Sequence, residues 1–187
     1  MRWLNEPRQW STAGDVLTVT ADAGTDFWRV THYGYVTDSG HLYGADVTGD
    51  FDVSVVVSGG YADQYDQAGV MIRVDDRHWL KTGIEFVDGR ARFSTVVTLE
   101  YSSWAVADLP PGSTELALLL ARRGDSVEVR YLAGDRVADP AAMNLAAVAY
   151  LPAAQPALAG AMCAAPTGSG FTVSFRSLAV TGVVAGG

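Results

Sequence analysis

Three runs with the alternating pattern of β-strands follow one another between Gln64 and Thr98, and they constrain the fold more than any other segment. Two turn signals separate them, at Asp75–His78 and at Val87–Arg90. Alternate side chains of a strand point to opposite sides of its sheet. In the middle run, one side carries Trp79, Lys81, Gly83 and Glu85, and the other carries Leu80, Thr82, Ile84 and Phe86. An aromatic ring, an ammonium group and a carboxylate on one face suit the binding of sugar-like molecules.

The turn between the second and third runs contains Asp88-Gly89, a strong signal for a two-residue β-hairpin. This turn fixes the register of the two strands. The resulting pairs are Glu85 with Arg92, Gly83 with Ser94, Lys81 with Val96 and Trp79 with Thr98. Because opposite charges then share the face of Trp79, we expect a structural ion network of Lys81, Glu85 and Arg92.

Short alternating runs between Gly, Pro and Asp turns recur along the chain, and no long amphipathic helix is evident. This pattern predicts an all-β jelly-roll sandwich of two curved antiparallel sheets. A second tight hairpin is expected at Gly124-Asp125, and residues 101–112 are expected to form a loop. Residues 141–151 fit either a short helix or an edge strand. The length of 187 residues suits one domain over 1–187, with an ordered core of about 3–180 and a frayed tail at 181–187.

Charge and cysteine content narrow the classes of partner. The formal net charge is −8, which argues against nucleic acid or an anionic membrane as a partner. No apolar run is long enough to span a bilayer. Cys163 is the single cysteine, so no internal disulfide can form, and its alanine-rich surroundings predict a small core residue. Together with a start at Met1 that lacks an apolar leader, this predicts a cytoplasmic protein.

Several segments carry the resemblance to one known family. The most specific are Tyr65–Gly69 (YDQAG) and Trp79–Glu85 (WLKTGIE), in this order and spacing. Further matching runs are Thr25–Arg29, Thr31–Tyr35, Gly49–Phe51 and Val96–Thr98. From about Trp3 to Val180, the chain resembles an uncharacterised bacterial and fungal family whose fungal member is named for regulation of enolase. The resemblance implies a concanavalin A-like sandwich, related in fold to lectins and glucanases, and it carries no established catalytic activity. At Ser102–Ala105 the chain lacks an acidic residue that is usual in the family.

A binding module for a carbohydrate or other polyhydroxylated ligand on the concave sheet is the leading hypothesis. Flat rings with polar edges suit sugar faces, and Trp28, Tyr33, Tyr35, Tyr65, Trp79 and Trp104 supply such rings. The predicted ligand-binding residues are Tyr65, Gln67, Trp79, Lys81, Glu85, Trp28 and His41, with Asp26 at the rim. In this hypothesis Lys81 and Gln67 donate hydrogen bonds to hydroxyl groups, and Glu85 accepts them. Gly69 and Gly83 either allow a ligand or a backbone to approach closely, or mark a bend in the sheet.

Two alternatives stay open. The first is a hydrolase or isomerase acting on a glycan or sugar, with Glu85 and either Asp66 or Asp26 as acid and base. No run of acidic residues typical of glucanases of this fold supports it, and no Gly-x-Ser-x-Gly motif is present. The second is a cytosolic regulatory or interaction protein. The three histidines lack the spacing of a metal site, so no metal and no cofactor is predicted. The oligomeric state is left open.

Overall fold

The structure is a computed structural model that describes residues 1–113, 115–137, 139–153 and 156–182. It consists almost entirely of antiparallel strands in two large sheets. Sheet 1 contains, in spatial order, β1 (Arg2–Leu4), β6 (His41–Val47), β15 (Ala157–Ala164), β8 (Gln67–Arg73), β9 (His78–Val87), β10 (Arg90–Leu99) and β11 (Tyr101–Asp108). Sheet 2 contains β14 (Asn144–Tyr150), β13 (Ser126–Ala133), β12 (Glu115–Arg123), β7 (Phe51–Gly59), β16 (Thr172–Gly182), β3 (Val16–Thr20) and β2 (Gln9–Ala13). The predicted all-β sandwich is confirmed.

The main core fills the space between the two sheets. On β7, Phe51, Val53, Val55 and Val57 alternate inward, and all four are buried. They face buried residues of sheet 1 such as Ile72. Burial of each such side chain stabilises the fold by roughly 1.5–3 kcal/mol. The hairpin at Gly124-Asp125 is also confirmed, and it places Leu118, Leu120, Val127 and Val129 in this core and Tyr131 against it.

A second layer lies on the outer face of sheet 1, which is the side turned away from sheet 2. The hairpin of β4 (Phe27–Arg29) and β5 (Val36–Asp38) covers part of this face. Phe27 and Trp28 pack there on a buried apolar cluster, which also contains Leu42, Met71, Trp79, Val96, Leu158 and Met162. The register predicted from Asp88-Gly89 is confirmed pair by pair. Lys81 and Glu85 therefore share the outer face with Trp79, between strands β8 and β10.

Two pairs of glycines stand opposite each other in sheet 1, Gly69 with Gly83 and Gly44 with Gly160. A Cβ atom on Gly83 would overlap the Ala68 carbonyl group and the Cα of Gly69. The neighbouring strand therefore occupies the space that a side chain would need. The glycines at positions 69 and 83 therefore allow the neighbouring backbone to approach closely, rather than a ligand.

The structure differs from the sequence-based expectations at two edges and one terminus. Residues 101–108 form strand β11 rather than a loop, and the sequence does not reveal it because this edge strand exposes most of its side chains and shows no apolar alternation. The ambiguous segment 141–151 contains the end of a short 3-10 helix, Pro140–Ala142, and then edge strand β14. Thr181 and Gly182 belong to β16, whereas the remaining predicted tail, 183–187, lies outside the described residues. Over the described ranges, no helix is long and apolar enough to cross a membrane.

Candidate functional site

A cavity opens on the outer face of sheet 1, where the segment around β4 and β5 meets strands β8 to β11. The empty space between its walls, counted together with the open solvent at its mouth, is about 320 Å³. Its lining consists of Asp26, Trp28, Tyr33, Tyr35, Tyr65, Gln67, Lys81, Glu85, Val96 and Trp104. Of the predicted ligand-binding residues, Tyr65, Gln67, Lys81, Glu85 and Trp28 lie in this lining, and the predicted rim residue Asp26 joins them. The structure thus brings together residues that are up to 78 positions apart in the chain.

Strand pairing explains how the polar residues meet. Lys81 and Glu85 lie on the same face of β9, and Gln67 of β8 stands directly opposite Glu85. On the other side, Val96 of β10 stands opposite Lys81 and Trp104 of β11 stands opposite Val96. The register of three neighbouring strand pairs therefore sets the floor of the cavity.

The ammonium group of Lys81 is fully engaged by the protein. Its Nζ donates to Gln67 Oε1 at 2.5 Å, to the Phe27 carbonyl oxygen at 2.8 Å and to Asp26 Oδ1 at 3.5 Å. An ammonium has three hydrogens, so these partners satisfy it. The side chain is 4% exposed, and it is the only lysine among thirteen basic residues of the chain. Lys81 therefore holds the segment that carries β4 and β5, called the covering segment below, on sheet 1. Its ammonium group has no hydrogen left for a ligand.

Only one oxygen of the Glu85 carboxyl group accepts hydrogen bonds from the described residues. Oε2 accepts hydrogen bonds from Ser94 Oγ at 2.5 Å and from Trp104 Nε1 at 2.9 Å. Oε1 accepts none from the described residues, and it is not among the buried unpaired atoms, so it remains accessible at this site, where Glu85 lines the cavity. Burial raises the pKa of Glu85, and the positive charge of Lys81 opposes that rise only in part.

The predicted ion network of Lys81, Glu85 and Arg92 is wrong. The ion pair of Lys81 is with Asp26, and that of Arg92 is with Asp108 at 3.7 Å. Within the described part of the chain, Glu85 has no cationic partner within 4.0 Å. Strand β11, expected to be a loop from the sequence, supplies the competing partner Asp108, and the segment before β4 supplies Asp26.

Asp26 presents a second open oxygen. Its Oδ1 accepts from the Phe27 backbone N–H at 2.8 Å, from Gln67 Nε2 at 3.3 Å and from Lys81 at 3.5 Å. Its Oδ2 accepts no hydrogen bond from a described residue and is not a buried unpaired atom. Two carboxylate oxygens, one from Asp26 and one from Glu85, are thus available inside the same cavity.

Five aromatic rings form the wall of the cavity. Tyr33 contacts the Trp28 ring edge-on at 5.6 Å, stacks on Tyr35 at 5.7 Å and lies 6.4 Å from Tyr65, while Tyr65 lies 6.1 Å from Trp104. The hydroxyl groups of Tyr33 and Tyr65 are 3.0 Å apart, and this hydrogen bond raises the pKa of Tyr33 to about 12. The wall is therefore continuous, from the exposed rings of Tyr33 and Tyr35 through the partly buried rings of Tyr65 and Trp104 to the buried ring of Trp28.

Part of this wall rests on strained backbone. Tyr65 has a φ of 71°, and in the loop that carries Tyr33, Val30 and His32 have φ values of 62° and 64°. The left-handed region is unfavourable for residues other than glycine, above all for a β-branched residue such as Val30. Strain of this kind costs of order 1–3 kcal/mol and clusters at functional sites.

Three candidate residues lie outside the cavity lining. Trp79 is 1% exposed and packs beneath it, with the ring of Phe27 at 6.2 Å and Lys81 Nζ at 5.6 Å. His41 is buried, and it accepts from the Asp22 backbone N–H at 3.0 Å while its Nδ1 contacts the Asn5 carbonyl oxygen at 2.6 Å. Asp66 accepts from the backbone N–H groups of Ala62 and Asp63 and so closes a turn.

Several residues of the site were not among the predicted ligand-binding set. Tyr33, Tyr35 and Trp104 appeared only as aromatic candidates, because the sequence gives no sign that their segments meet. Ser94, which donates to Glu85, could have been found from the hairpin register, since Ser94 is placed opposite Gly83 and beside Glu85. In the described residues, no group of three His, Cys, Asp or Glu side chains is arranged to hold a metal ion.

Solved structures of other proteins share the sandwich. The GH43 protein BlXynB from Bacillus licheniformis matches with a TM-score of 0.69 at 10% identity, over 95% of this chain and 36% of that protein. The carbohydrate binding module CBM66 from Bacillus subtilis matches with a TM-score of 0.60 at 12% identity, over 96% of this chain and 94% of that one. At such identities the likeness concerns the fold alone.

Two matches at higher identity come from yeast. The chain is 36% identical to "Regulation of enolase protein 1" of Saccharomyces cerevisiae, over 96% of this chain and 88% of the relative. A crystal structure of a functionally unknown protein from Saccharomyces cerevisiae matches with a TM-score of 0.90 at 34% identity, over 98% of this chain and 96% of that one. The model of a family described as "Protein of unknown function (DUF1349)" matches residues 3–183. With its fold, its YDQAG and WLKTGIE segments and these matches, the chain belongs to the DUF1349 family.

Proposed function

We propose that this protein binds a carbohydrate or another small polyhydroxylated ligand in the cavity on the outer face of sheet 1. The observation that carries the proposal is the combination of a five-ring aromatic wall with two open carboxylate oxygens. Sugar rings pack their C–H faces on aromatic side chains, and their hydroxyl groups donate to carboxylates.

The roles that this proposal gives to individual residues differ from those inferred from the sequence. Trp28, Tyr33, Tyr35 and Trp104 replace Trp79 as the rings available for stacking, because Trp79 lies beneath the cavity. Lys81 and its partners hold the covering segment in place. Glu85 keeps its expected role as a hydrogen-bond acceptor, through Oε1.

Two further observations support a binding site. Backbone strain at Tyr65 and near Tyr33 is retained where the rings line the cavity, as expected when function demands a side-chain position. The shared fold with a carbohydrate binding module from Bacillus subtilis adds support at the level of architecture.

Binding can be tested with a glycan array followed by calorimetry on any hit. Tyr35 is 46% exposed at the mouth, so Tyr35→Ala removes a ring without opening the core. Tyr150→Ala is the matched control, since Tyr150 is exposed on edge strand β14 of sheet 2. We expect Tyr35→Ala to weaken binding by about 1 kcal/mol or more, as for loss of one stacking ring, and Tyr150→Ala to leave it unchanged. Absence of binding to every glycan and free sugar would refute the proposal.

A second candidate function is hydrolysis of a glycosidic bond by Glu85 and Asp26. One observation favours it: a carboxyl with a raised pKa and a second carboxyl share one cavity, as an acid and a base must. A panel of aryl glycosides tests it, with Glu85→Gln and Asp26→Asn each expected to abolish turnover. Turnover that survives both substitutions, or none on any substrate, would contradict it.

We propose that the protein binds its ligand in the cytoplasm. We also propose that neither nucleic acid nor a membrane is its partner. Cys163 is a buried free cysteine, so the described fold contains no disulfide that would need an oxidising compartment. The net charge of −8 opposes association with polyanions. Fractionation of cells that express the tagged protein tests the location.

A further inference from the structure

The polar atoms of the cavity fall into two groups, those used by the protein and those left open. Every side-chain N–H group in the lining is engaged internally. Lys81 donates to three oxygens, and Gln67 Nε2 donates to Asp26 Oδ1 and to the Tyr65 carbonyl oxygen. The indole N–H of Trp28 donates to the Thr31 carbonyl oxygen at 2.9 Å, and that of Trp104 donates to Glu85.

The open atoms are acceptors or hydroxyl groups. They are Glu85 Oε1, Asp26 Oδ2 and the Tyr35 hydroxyl group, whereas the hydroxyl groups of Tyr33 and Tyr65 bond to each other. A site for a neutral sugar usually offers N–H donors as well as acceptors, because each sugar hydroxyl both donates and accepts. This cavity offers carboxylates and aromatic faces, so it favours a ligand that donates strongly.

The charges that line the cavity also favour a ligand that donates strongly. Two carboxylates and one ammonium line the cavity, which leaves one negative charge uncompensated when all three groups are ionised. The ion pair of Lys81 lies on the Asp26 side, while Glu85 has no cation within 4.0 Å among described residues. A cation beside aromatic faces is attracted by their ring electrons, most strongly where water is excluded.

We propose that the ligand carries a protonated primary amine, as an amino sugar does, and that its ammonium group donates to Glu85 Oε1 and Asp26 Oδ2 beside the aromatic wall. This inference rests on the proposed function, since it names the substrate class of the same cavity. The hydroxyl groups of the sugar would meet the tyrosines at the mouth.

Calorimetry with matched sugars tests this proposal. Glucosamine, galactosamine and mannosamine are compared with their neutral parent sugars and their N-acetylated derivatives at about pH 6.5, where a primary amine of this kind is protonated. We expect at least one amino sugar to bind about tenfold more tightly than both of its neutral counterparts. Sodium chloride should weaken the binding of the amine more than that of the neutral sugar.

Substitutions distinguish the contribution of the carboxylates to binding from that of the aromatic rings. Glu85→Gln and Asp26→Asn should each remove the preference for the amine over its neutral counterparts, because the amide that replaces each carboxylate carries no negative charge. Glu128→Gln, in a surface ion pair on sheet 2, is the control that should change nothing. Thermal melts identify any variant that fails to fold, and Tyr35→Ala then serves as a second probe, because loss of its ring should weaken amine binding.

The outcomes are distinguishable. If neutral sugars bind as tightly as their amines, the amine proposal is overturned while the binding proposal stands. If no sugar of any kind binds, both are overturned. If an amine is preferred but Glu85→Gln and Asp26→Asn keep that preference, the assignment of its partners is wrong.

Discussion

Glu85 and Trp104 are joined by a hydrogen bond of 2.9 Å from the indole Nε1 to Oε2, although their strands are not neighbours in sheet 1. Strand β10 lies between β9 and β11, and its Ser94 donates to the same oxygen. The indole also lies 3.0 Å from Ser94 Oγ. This triangle orients the Glu85 carboxyl group so that Oε1 is turned to the cavity.

Trp104→Phe tests this triangle. The substitution keeps an aromatic ring but removes the donor to a buried carboxyl, which we expect to destabilise the fold by about 1.5–3 kcal/mol. The measurement is urea denaturation at neutral pH. Trp10→Phe is the control, because the Trp10 indole also donates to a carboxylate, Glu6, but on the exposed surface. An equal loss of stability in both variants would mean that the buried hydrogen bond stabilises the fold no more than the exposed one does.

The sequence was sufficient to predict the parts of the site that depend on local pattern. Alternation placed Trp79, Lys81 and Glu85 on one face, and the Asp88-Gly89 turn set the register of β9 and β10. Neither required information about distant segments, because strand period and turn type are local properties.

What the sequence could not predict depends on how distant segments pack. The segment from Asp26 to Tyr35 covers one end of the outer face, and it buries Trp79 while leaving Glu85 in a cavity. No periodicity shows where a connecting hairpin will lie on a sheet. The edge strand carrying Trp104 was also missed, because a strand with both faces largely exposed has no apolar pattern.

The raised pKa of Glu85 predicts a pH dependence of stability. A carboxyl whose pKa is higher in the folded state stabilises the fold below its unfolded value, near 4.5, and this contribution is lost as the pH rises through the folded pKa. The amide introduced by Glu85→Gln does not ionise, so this variant should gain stability relative to the natural protein as the pH rises from about 4.5 through the folded pKa of Glu85. Urea denaturation across this range measures the difference.

The control for this pH series is Glu6→Gln, which removes a carboxylate on the exposed surface. A difference between Glu85→Gln and the natural protein that stays constant with pH would show that Glu85 is not perturbed by its burial. A relative stability of the variant that falls with rising pH would show that Lys81 dominates over burial.

Gly83→Ala tests the close approach of strands β8 and β9. The added Cβ would overlap the Ala68 carbonyl group, so the strands must separate, and we expect a loss of about 1–3 kcal/mol as for overpacking of a core. Gly182→Ala is the matched control in strand β16, because its Cβ meets no atom within 4 Å. Equal stability of the two variants would show that the glycine pair is not required.

Lys81→Met tests whether the lysine holds the covering segment on the sheet. Methionine replaces the apolar stem but leaves Asp26 and Gln67 Oε1 without their cation, and removal of one partner of a buried pair costs about 3–5 kcal/mol. Arg77→Met, which breaks an exposed ion pair with Glu100, should cost less than about 1 kcal/mol. Urea denaturation measures both.

Lys81→Arg separates charge from shape at the same position. The planar guanidinium group keeps the positive charge but cannot reproduce three convergent hydrogen bonds in the space of an ammonium, so we expect it to destabilise the fold as well. Hydrogen exchange should then show increased opening of residues 26–38, since these residues depend on the Lys81 bonds to Asp26 and Phe27. If Lys81→Met and Lys81→Arg are both as stable as the natural protein, the cover is held by its apolar contacts alone, with Phe27 and Trp28 against Trp79.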